Sequence, residues 1–331
     1  MPPVYSTVSP VSRVFLLLVT LLLAACTGDL PQPSLSPMPP ENTFLMPDGA
    51  SLPYRAWLPE REEPPWAVVL ALHGMNDSRD AWELPAPAFT DAGIAVFAPD
   101  QRGFGATAQR GRWPGEAVLA ADVTAMTRHL RTRYPRARLI LMGESMGAAV
   151  LMLAATSKNP PPADGYVLLS PAVWGRMQMN VFMRSSLWLA TNLAPGLAVT
   201  GRAVGRVATD NRDALLKLSR NPLTIKETRF EAVGGVVDLM DAALAAAPRL
   251  RVPALLLYGG KDEIIPARAT RATWASLPPE PRRAFYPAGY HLLLRDRGRA
   301  VPIDDILAWI RRPAAPLLAE EAAARFLAAP P

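Results

Sequence analysis

Gly143-Glu144-Ser145-Met146-Gly147 places a serine between two glycines at the joint of two contrasting patterns. Residues 137–142 form an apolar run that reads as a buried strand, and residues 148–155 read as a helix. A strand, a sharp turn and a helix would force Ser145 into a strained backbone conformation and expose its hydroxyl. The glycines fit because side chains there would collide with the neighbouring strand and helix. The chemistry such a serine can do is nucleophilic attack on an acyl carbon. A serine hydroxyl is a poor nucleophile at neutral pH, so a base must take its proton as the bond forms. The helix start directs amides at the oxyanion that develops. The amide of Met146 is one expected donor. Met75 is the other, on the loop 73–77 that follows a second strand-like run at 67–72.

The base and its partner should follow in the order serine, acid, histidine. The chain has three histidines. His73 comes too early and reads as a loop support held by hydrogen bonds. His129 lies in the basic helical stretch Arg128-His129-Leu130-Arg131 and reads as a solvated helix face. His291, in Gly289-Tyr290-His291, follows a strand-like segment near the C-terminal end and is the candidate base. The acid belongs on the loop after the apolar strand pattern at 253–258, in Gly259-Gly260-Lys261-Asp262-Glu263. Asp262 is the choice, with Glu263 as the alternative and a plain surface turn as the bland reading. Asp262 would orient the imidazole and stabilise its positive form. His291 would return its proton to the leaving alcohol.

These residues, with Asp100-Gln101-Arg102-Gly103-Phe104-Gly105 and Pro266, resemble the α/β-hydrolase superfamily. Within it they are similar to the monoacylglycerol lipase and lysophospholipase group, the serine aminopeptidase S33-like hydrolases. The resemblance covers residues 41 to 312. Many relatives have histidine at the position of Glu144 and Asp-His-Arg-Gly in place of Asp100-Gln101-Arg102-Gly103, whereas some plant-type relatives share the glutamate. The resemblance implies an α/β fold: a mostly parallel sheet, helices on both faces, and a helical cap over the site. It implies no cofactor and no metal.

The N-terminus carries a second signal. Arg13 is the only charge in residues 1–25, and an apolar run at 14–25 is too short to span a bilayer as a lone helix. It fits the core of a signal peptide. It ends in Leu23-Ala24-Ala25-Cys26, which resembles a bacterial lipobox with Cys26 lipidated. Cys26 is the only cysteine, so no disulfide forms within the chain. Several acyl chains would make the attachment stable. Thr27, where an aspartate is absent, leans toward the outer membrane by resemblance to Gram-negative sorting. The expected setting is therefore a bacterial envelope, with the enzyme facing the periplasm. Five prolines between Asp29 and Pro40 then read as an extended spacer.

Half of the residues are hydrophobic, enough for a large core. The formal charge of +6 falls to +5 without Arg13, and the excess is spread along the chain. Arg128, Arg131, Arg133, Arg136 and Arg138 suit the end of a helix, whose last carbonyls attract cations. No nucleic-acid motif, Cys/His metal cluster, phosphate loop or internal repeat is present.

The expected organisation is a signal peptide (1–25), a tether (26–41), a core in two parts (42–171 and 251–313), a cap between them (172–250) and a C-terminal helical extension (314–331). Residues 43–46 and 51–57 read as an antiparallel hairpin turning at Asp48-Gly49. Strands are expected near 67–72, 94–98, 138–142, 165–169, 253–258 and 282–286. Helices are expected near 80–92, 115–133, 146–157, 267–276, 302–312 and 317–327, the first capped by Asp77 or Ser78. The stretch 172–250 breaks the alternation with a helical pattern dense in large apolar residues. Trp174, Met177, Met183 and Trp188 are its candidates for lining an acyl channel, methionine suiting chains of varied shape. Asn221-Pro222-Leu223-Thr224 would then sit near the alcohol side. The expected partners are a lipid or ester substrate and, through Cys26, the membrane. The alternatives on the same triad are a general esterase, a thioesterase or an acyltransferase. The non-enzyme alternative is an envelope lipoprotein that binds lipid on a retired scaffold.

Overall fold

The structure is a computed structural model that describes residues 43–60, 63–200 and 205–329. The signal segment, Cys26 and the proline-rich spacer lie outside the described residues. Strands β1 (Thr43–Leu45) and β2 (Ser51–Trp57) form the expected antiparallel hairpin, with Leu45 opposite Ser51. At its turn the Asp48 carboxylate accepts from the amide of Ala50 at 3.1 Å.

An alternation of strands and helices follows: β3 (Ala67–Leu72), α1 (Ala86–Asp91), β4 (Ile94–Pro99), α2 (Glu116–Arg133), β5 (Arg138–Glu144), α3 (Met146–Ala155) and β6 (Gly165–Leu169). The segment between β6 and the next core strand holds α4 (Val181–Leu193), β7 (Ala198–Thr200), α5 (Arg212–Arg220), β8 (Glu227–Arg229) and α6 (Phe230–Ala246). The core resumes with β9 (Ala254–Gly259), α7 (Ala267–Ser276), β10 (Arg282–Tyr286) and α8 (Ala300–Arg311), and α9 (Leu318–Ala328) ends the described chain.

The eight-stranded sheet runs β1-β2-β4-β3-β5-β6-β9-β10, and every pairing from β4 onward is parallel. Helices cover both faces, so the central strands read as unbroken apolar runs. Alternate residues divide between two cores: Val68, Leu70 and Leu72 face one, Ala67, Val69 and Ala71 the other. The carboxyl ends of β3, β5, β9 and β10 carry the loops that hold Met75, Ser145, Asp262 and His291. That end of an open parallel sheet is where its ligands bind.

Two expectations change. The helix expected over 80–92 is a 3₁₀ turn at Arg79–Trp82 followed by α1. Pro85 and Pro87 lack the N–H groups that would carry a helix across the gap. Ser78 caps the 3₁₀ turn, accepting from Asp80 N at 3.4 Å, whereas Asp77 turns to other partners. The segment 172–250 is also not purely helical. Strands β7 and β8 pair as an antiparallel ribbon, Val199 opposite Thr228. Its last helix, α6, buries Leu239, Ala243 and Ala246 completely and lies against α3. Helix α9 is the amphipathic C-terminal element expected: it packs on β10, with Phe326 stacked on Phe285 at 4.4 Å between ring centroids.

Candidate active site

Ser145 stands between β5 and α3 with φ 54° and ψ −112°, a conformation that a non-glycine residue holds only under surrounding constraint. The flanking glycines show what applies it. A Cβ on Gly143 would lie 2.6 Å from the Ala148 amide nitrogen, at the start of α3. A Cβ on Gly147 would lie 2.5 Å from the Leu72 carbonyl oxygen, at the end of β3. The Ser145 amide donates to Leu169 O at 2.8 Å, and its carbonyl accepts from Ala149 N and Ala172 N. The turn is therefore fixed by both neighbouring strands and by its own helix.

The oxyanion loop packs directly on this turn: a Cβ on Gly74 would lie 3.4 Å from Ser145 Cβ. Among the described residues, the amides of Met75 and Met146 have no acceptor within the protein. Met146 opens α3, so the helix field adds to the donors there. His73 is fully buried beneath the loop. Its Nε2 accepts from the Gln101 amide at 3.0 Å, so its Nδ1 carries the proton and donates to Gly74 O at 2.8 Å. Gln101 Nε2 returns a bond to His73 O at 2.6 Å. His73 thus supports the loop, and Gln101 is part of that support. His129 is exposed and meets Phe44 edge-on, consistent with a surface role.

Asp262 and His291 come together. His291 Nδ1 donates to Asp262 Oδ2 at 2.8 Å, and both side chains are buried. Asp262 Oδ1 accepts from the amides of Ile264 and Ile265 at 2.8 and 2.9 Å, which fixes the carboxylate. This pairing sets the tautomer of His291 and leaves Nε2 free to act as a base. Glu263, the alternative acid, instead accepts from the Val207 amide at 2.8 Å and takes no part in this pair.

Sequence reasoning passed over a second buried group. Arg295, four residues after His291, donates to Asp77 Oδ2 at 2.7 Å and to Glu144 Oε1 at 2.5 Å. Burial opposes its charge, but the two carboxylates overcome that and hold the guanidinium above its ordinary pKa. The signal available in the sequence was Glu144 itself, a carboxylate at an apolar-flanked position that needed a cation. The cap also reaches the oxyanion loop. Ile225 N donates to Asn76 O at 2.8 Å, and Asn76 Nδ2 donates to Thr228 Oγ1 at 2.6 Å. Asn221, whose segment was expected near the alcohol side, bonds Asp80 Oδ2 at 2.8 Å on the core.

The four cap residues considered for an acyl channel are not gathered in one place. Trp174 is half-buried against the core. Met177 is 87% exposed, Met183 sits at the edge of exposure, and Trp188 lines a groove of about 350 Å³ with Trp113, Leu187 and Thr191. Another cavity, of about 480 Å³, opens between α5 and the Arg79–Trp82 turn, with Asp77 and Arg295 among its lining residues.

A sequence profile of the family described as "Serine aminopeptidase, S33" matches residues 63–298. The chain belongs to this hydrolase family. The matched span runs from before β3 to the end of the histidine loop, so it includes every element of the site. Similar proteins include the monoacylglycerol lipase of Mycolicibacterium smegmatis, 27% identical over 285 residues, which cover 82% of this chain and 96% of that one. The monoglyceride lipase of Rattus norvegicus is 25% identical over 260 residues, covering 75% and 82%. Among solved structures, the fold is shared with a monoglyceride lipase variant from Saccharomyces cerevisiae (TM-score 0.69, 18% identity, 87% and 100% covered). It is shared as well with the monoacylglycerol lipase of Paleococcus ferrophilus (TM-score 0.66, 21% identity, 78% and 98% covered).

Proposed function

We propose that this S33 hydrolase cleaves lipid-like carboxylic esters, monoacylglycerols or lysophospholipids foremost, through an acyl-Ser145 intermediate. The observation that carries the reading is the buried Asp262–His291 pair, 2.8 Å apart, on the loops after β9 and β10, at the same carboxyl end of the sheet as the strained Ser145 turn. His291 Nε2 takes the Ser145 proton as Oγ attacks the ester carbon. The tetrahedral oxyanion is received by the amides of Met75 and Met146. His291 then gives its proton to the departing alcohol, and the C–O bond breaks. Water enters, His291 takes its proton, and the hydroxide attacks the acyl carbon. Collapse of the second tetrahedral species returns the proton to Ser145 and releases a fatty acid. Asp262 keeps Nδ1 protonated throughout and balances the imidazolium charge.

The names of the relatives support the lipid end of this range. So does the outer face of the cap, where Phe182, Leu189 and Leu193 are exposed along α4. Such a patch suits an enzyme that takes its substrate from a lipid surface. The Leu23-Ala24-Ala25-Cys26 pattern supports a tether that holds the enzyme there. The test is turnover of 1-monoacylglycerols, lysophospholipids and p-nitrophenyl esters of increasing chain length by wild type and S145A. Turnover that is lost in S145A and rises with chain length is the expected result. Turnover that persists in S145A would sink the serine mechanism, and a preference for acetate would sink the lipid assignment.

A further inference from the structure

Three buried charged residues that the mechanism above does not use meet at the site: Asp77, Glu144 and Arg295. Each comes from a different catalytic loop. Asp77 ends the oxyanion loop, Glu144 immediately precedes the nucleophile, and Arg295 closes the 3₁₀ turn Leu293–Arg295 after His291. One nitrogen, Arg295 Nη2, serves both carboxylates. The histidine loop is itself closed, because Asp296 Oδ2 accepts from Tyr290 N at 2.8 Å. Arg295 O accepts from Asn211 Nδ2 at 2.9 Å, which ties the same turn to the cap.

The position of Glu144 makes this cluster more than a brace. Glu144 Oε1 and Ser145 Cβ lie on the same side of Gly74, 3.7 and 3.4 Å from where a Cβ on that glycine would stand. This puts a buried carboxylate oxygen, one residue before the nucleophile, against the loop that carries Met75. In a dry site an uncompensated negative charge opposes a second one strongly.

We propose that Arg295 is a positioning residue whose charge neutralises Glu144 beside the nucleophile and locks the elbow, oxyanion loop and histidine loop together. This rests on the Ser145 reading given above. The cost of losing Arg295 falls on the transition state, where the oxyanion exists, and not on the bound ester. Because a single nitrogen makes both bonds, the task is that of a point charge. Lysine therefore replaces arginine here better than at a bidentate site.

The experiment uses the full chain and a soluble p-nitrophenyl ester. Reactive serine is counted by titration with a fluorophosphonate, so that kcat is expressed per functional site. R295M is expected to lose at least about tenfold in kcat with KM changed less than about threefold, R295K to recover most of that loss, and E144Q/R295M to recover at least half of it on a logarithmic scale. An R295M enzyme with wild-type kcat overturns the proposal, and so does a double variant no better than R295M. If R295M yields no soluble protein, E144Q/R295M is read against wild type: a kcat within about tenfold supports neutralisation, and a greater loss overturns it. Wild type and S145A run in parallel. Wild-type turnover that does not depend on Ser145 counts against the proposed function, whereas Ser145-dependent turnover with an unaffected R295M counts against Arg295 alone.

Discussion

Asp262 does two jobs with two oxygens. Oδ1 is held by the amides of Ile264 and Ile265, and Oδ2 holds His291. Asp262→Asn keeps a single acceptor oxygen, and the backbone amides compete with His291 for it. The imidazole then loses its fixed tautomer. A fall in kcat on the order of 10⁴-fold is expected, with KM little changed, by analogy with the same exchange in another serine triad. Steady-state kinetics beside a thermal melt check it: a stable D262N protein within tenfold of wild-type kcat would remove Asp262 from the mechanism. Gly147 makes the second residue-scale prediction. A methyl group there meets the Leu72 and His73 carbonyl oxygens at 2.5 and 2.8 Å, and neither backbone can move without disturbing β3 or α3. Gly147→Ala should destabilise by about 1–3 kcal/mol, as overpacked cores do, and lower kcat through the displaced oxyanion loop. Unchanged melting and kinetics would show that the turn is looser than its contacts indicate.

At the scale of elements, an ion pair adds to the Phe326 packing that holds helix α9 on β10. Arg282 on β10 grips Glu320 on α9 through two bonds, at 2.6 and 2.5 Å, and also donates to the carbonyls of Pro313 and Ala315. The arginine holds the Glu320 carboxyl below its ordinary value of 4.5. A carboxylate with a lowered folded pKa stabilises the protein above its unfolded pKa, and that stability is lost as pH falls through the folded value. Glu320→Gln should therefore cost about 1.5–3 kcal/mol at pH 7, the range for a hydrogen bond to a charged group. The deficit should shrink as pH drops below about 4.5, where wild type begins to lose the same contribution. Melting temperatures of both proteins from pH 7 to pH 3.5 test this. A deficit that does not change with pH would mean that α9 is held by Phe326 packing and not by charge.

At the scale of the whole molecule, the proposed chemistry and the proposed contact with lipid fall on different segments. The serine, acid and histidine sit on loops at the carboxyl ends of sheet strands, and Phe182, Leu189 and Leu193 are exposed on α4, in the segment between β6 and β9. Replacing Phe182 and Leu189 together by serine should leave kcat/KM on a soluble aryl ester unchanged. On emulsified monoacylglycerol it should raise the apparent KM at least about fivefold, the size expected when on the order of 1 kcal/mol of apolar burial is lost. Equal effects on both substrates would place these side chains in the acyl site and not at a lipid surface. Asn221, Ile225 and Thr228, later in the same segment, tie it to Asn76 on the loop 73–77 and to Asp80 on the 3₁₀ turn that follows.

The sequence alone determined the sheet and the identity of the candidate residues. Unbroken apolar runs follow from strands buried on both faces, and a serine flanked by glycines at a strand–helix joint has few local solutions. The order of serine, acid and histidine narrowed three histidines to one because chain order is itself sequence information. The tertiary structure decided what depends on distant partners. It separated Asp262 from Glu263, since only one of two adjacent carboxylates reaches a histidine 29 residues away. It showed Arg295 between Asp77 and Glu144, a meeting of residues 218 and 151 positions apart that no local pattern encodes. It turned part of the expected helical cap into a ribbon, because β7 and β8 gain their hydrogen bonds only from each other across the intervening chain. It also set Met177 and Trp188 on the surface: helical spacing fixes which residues share a face, and only packing fixes what that face meets.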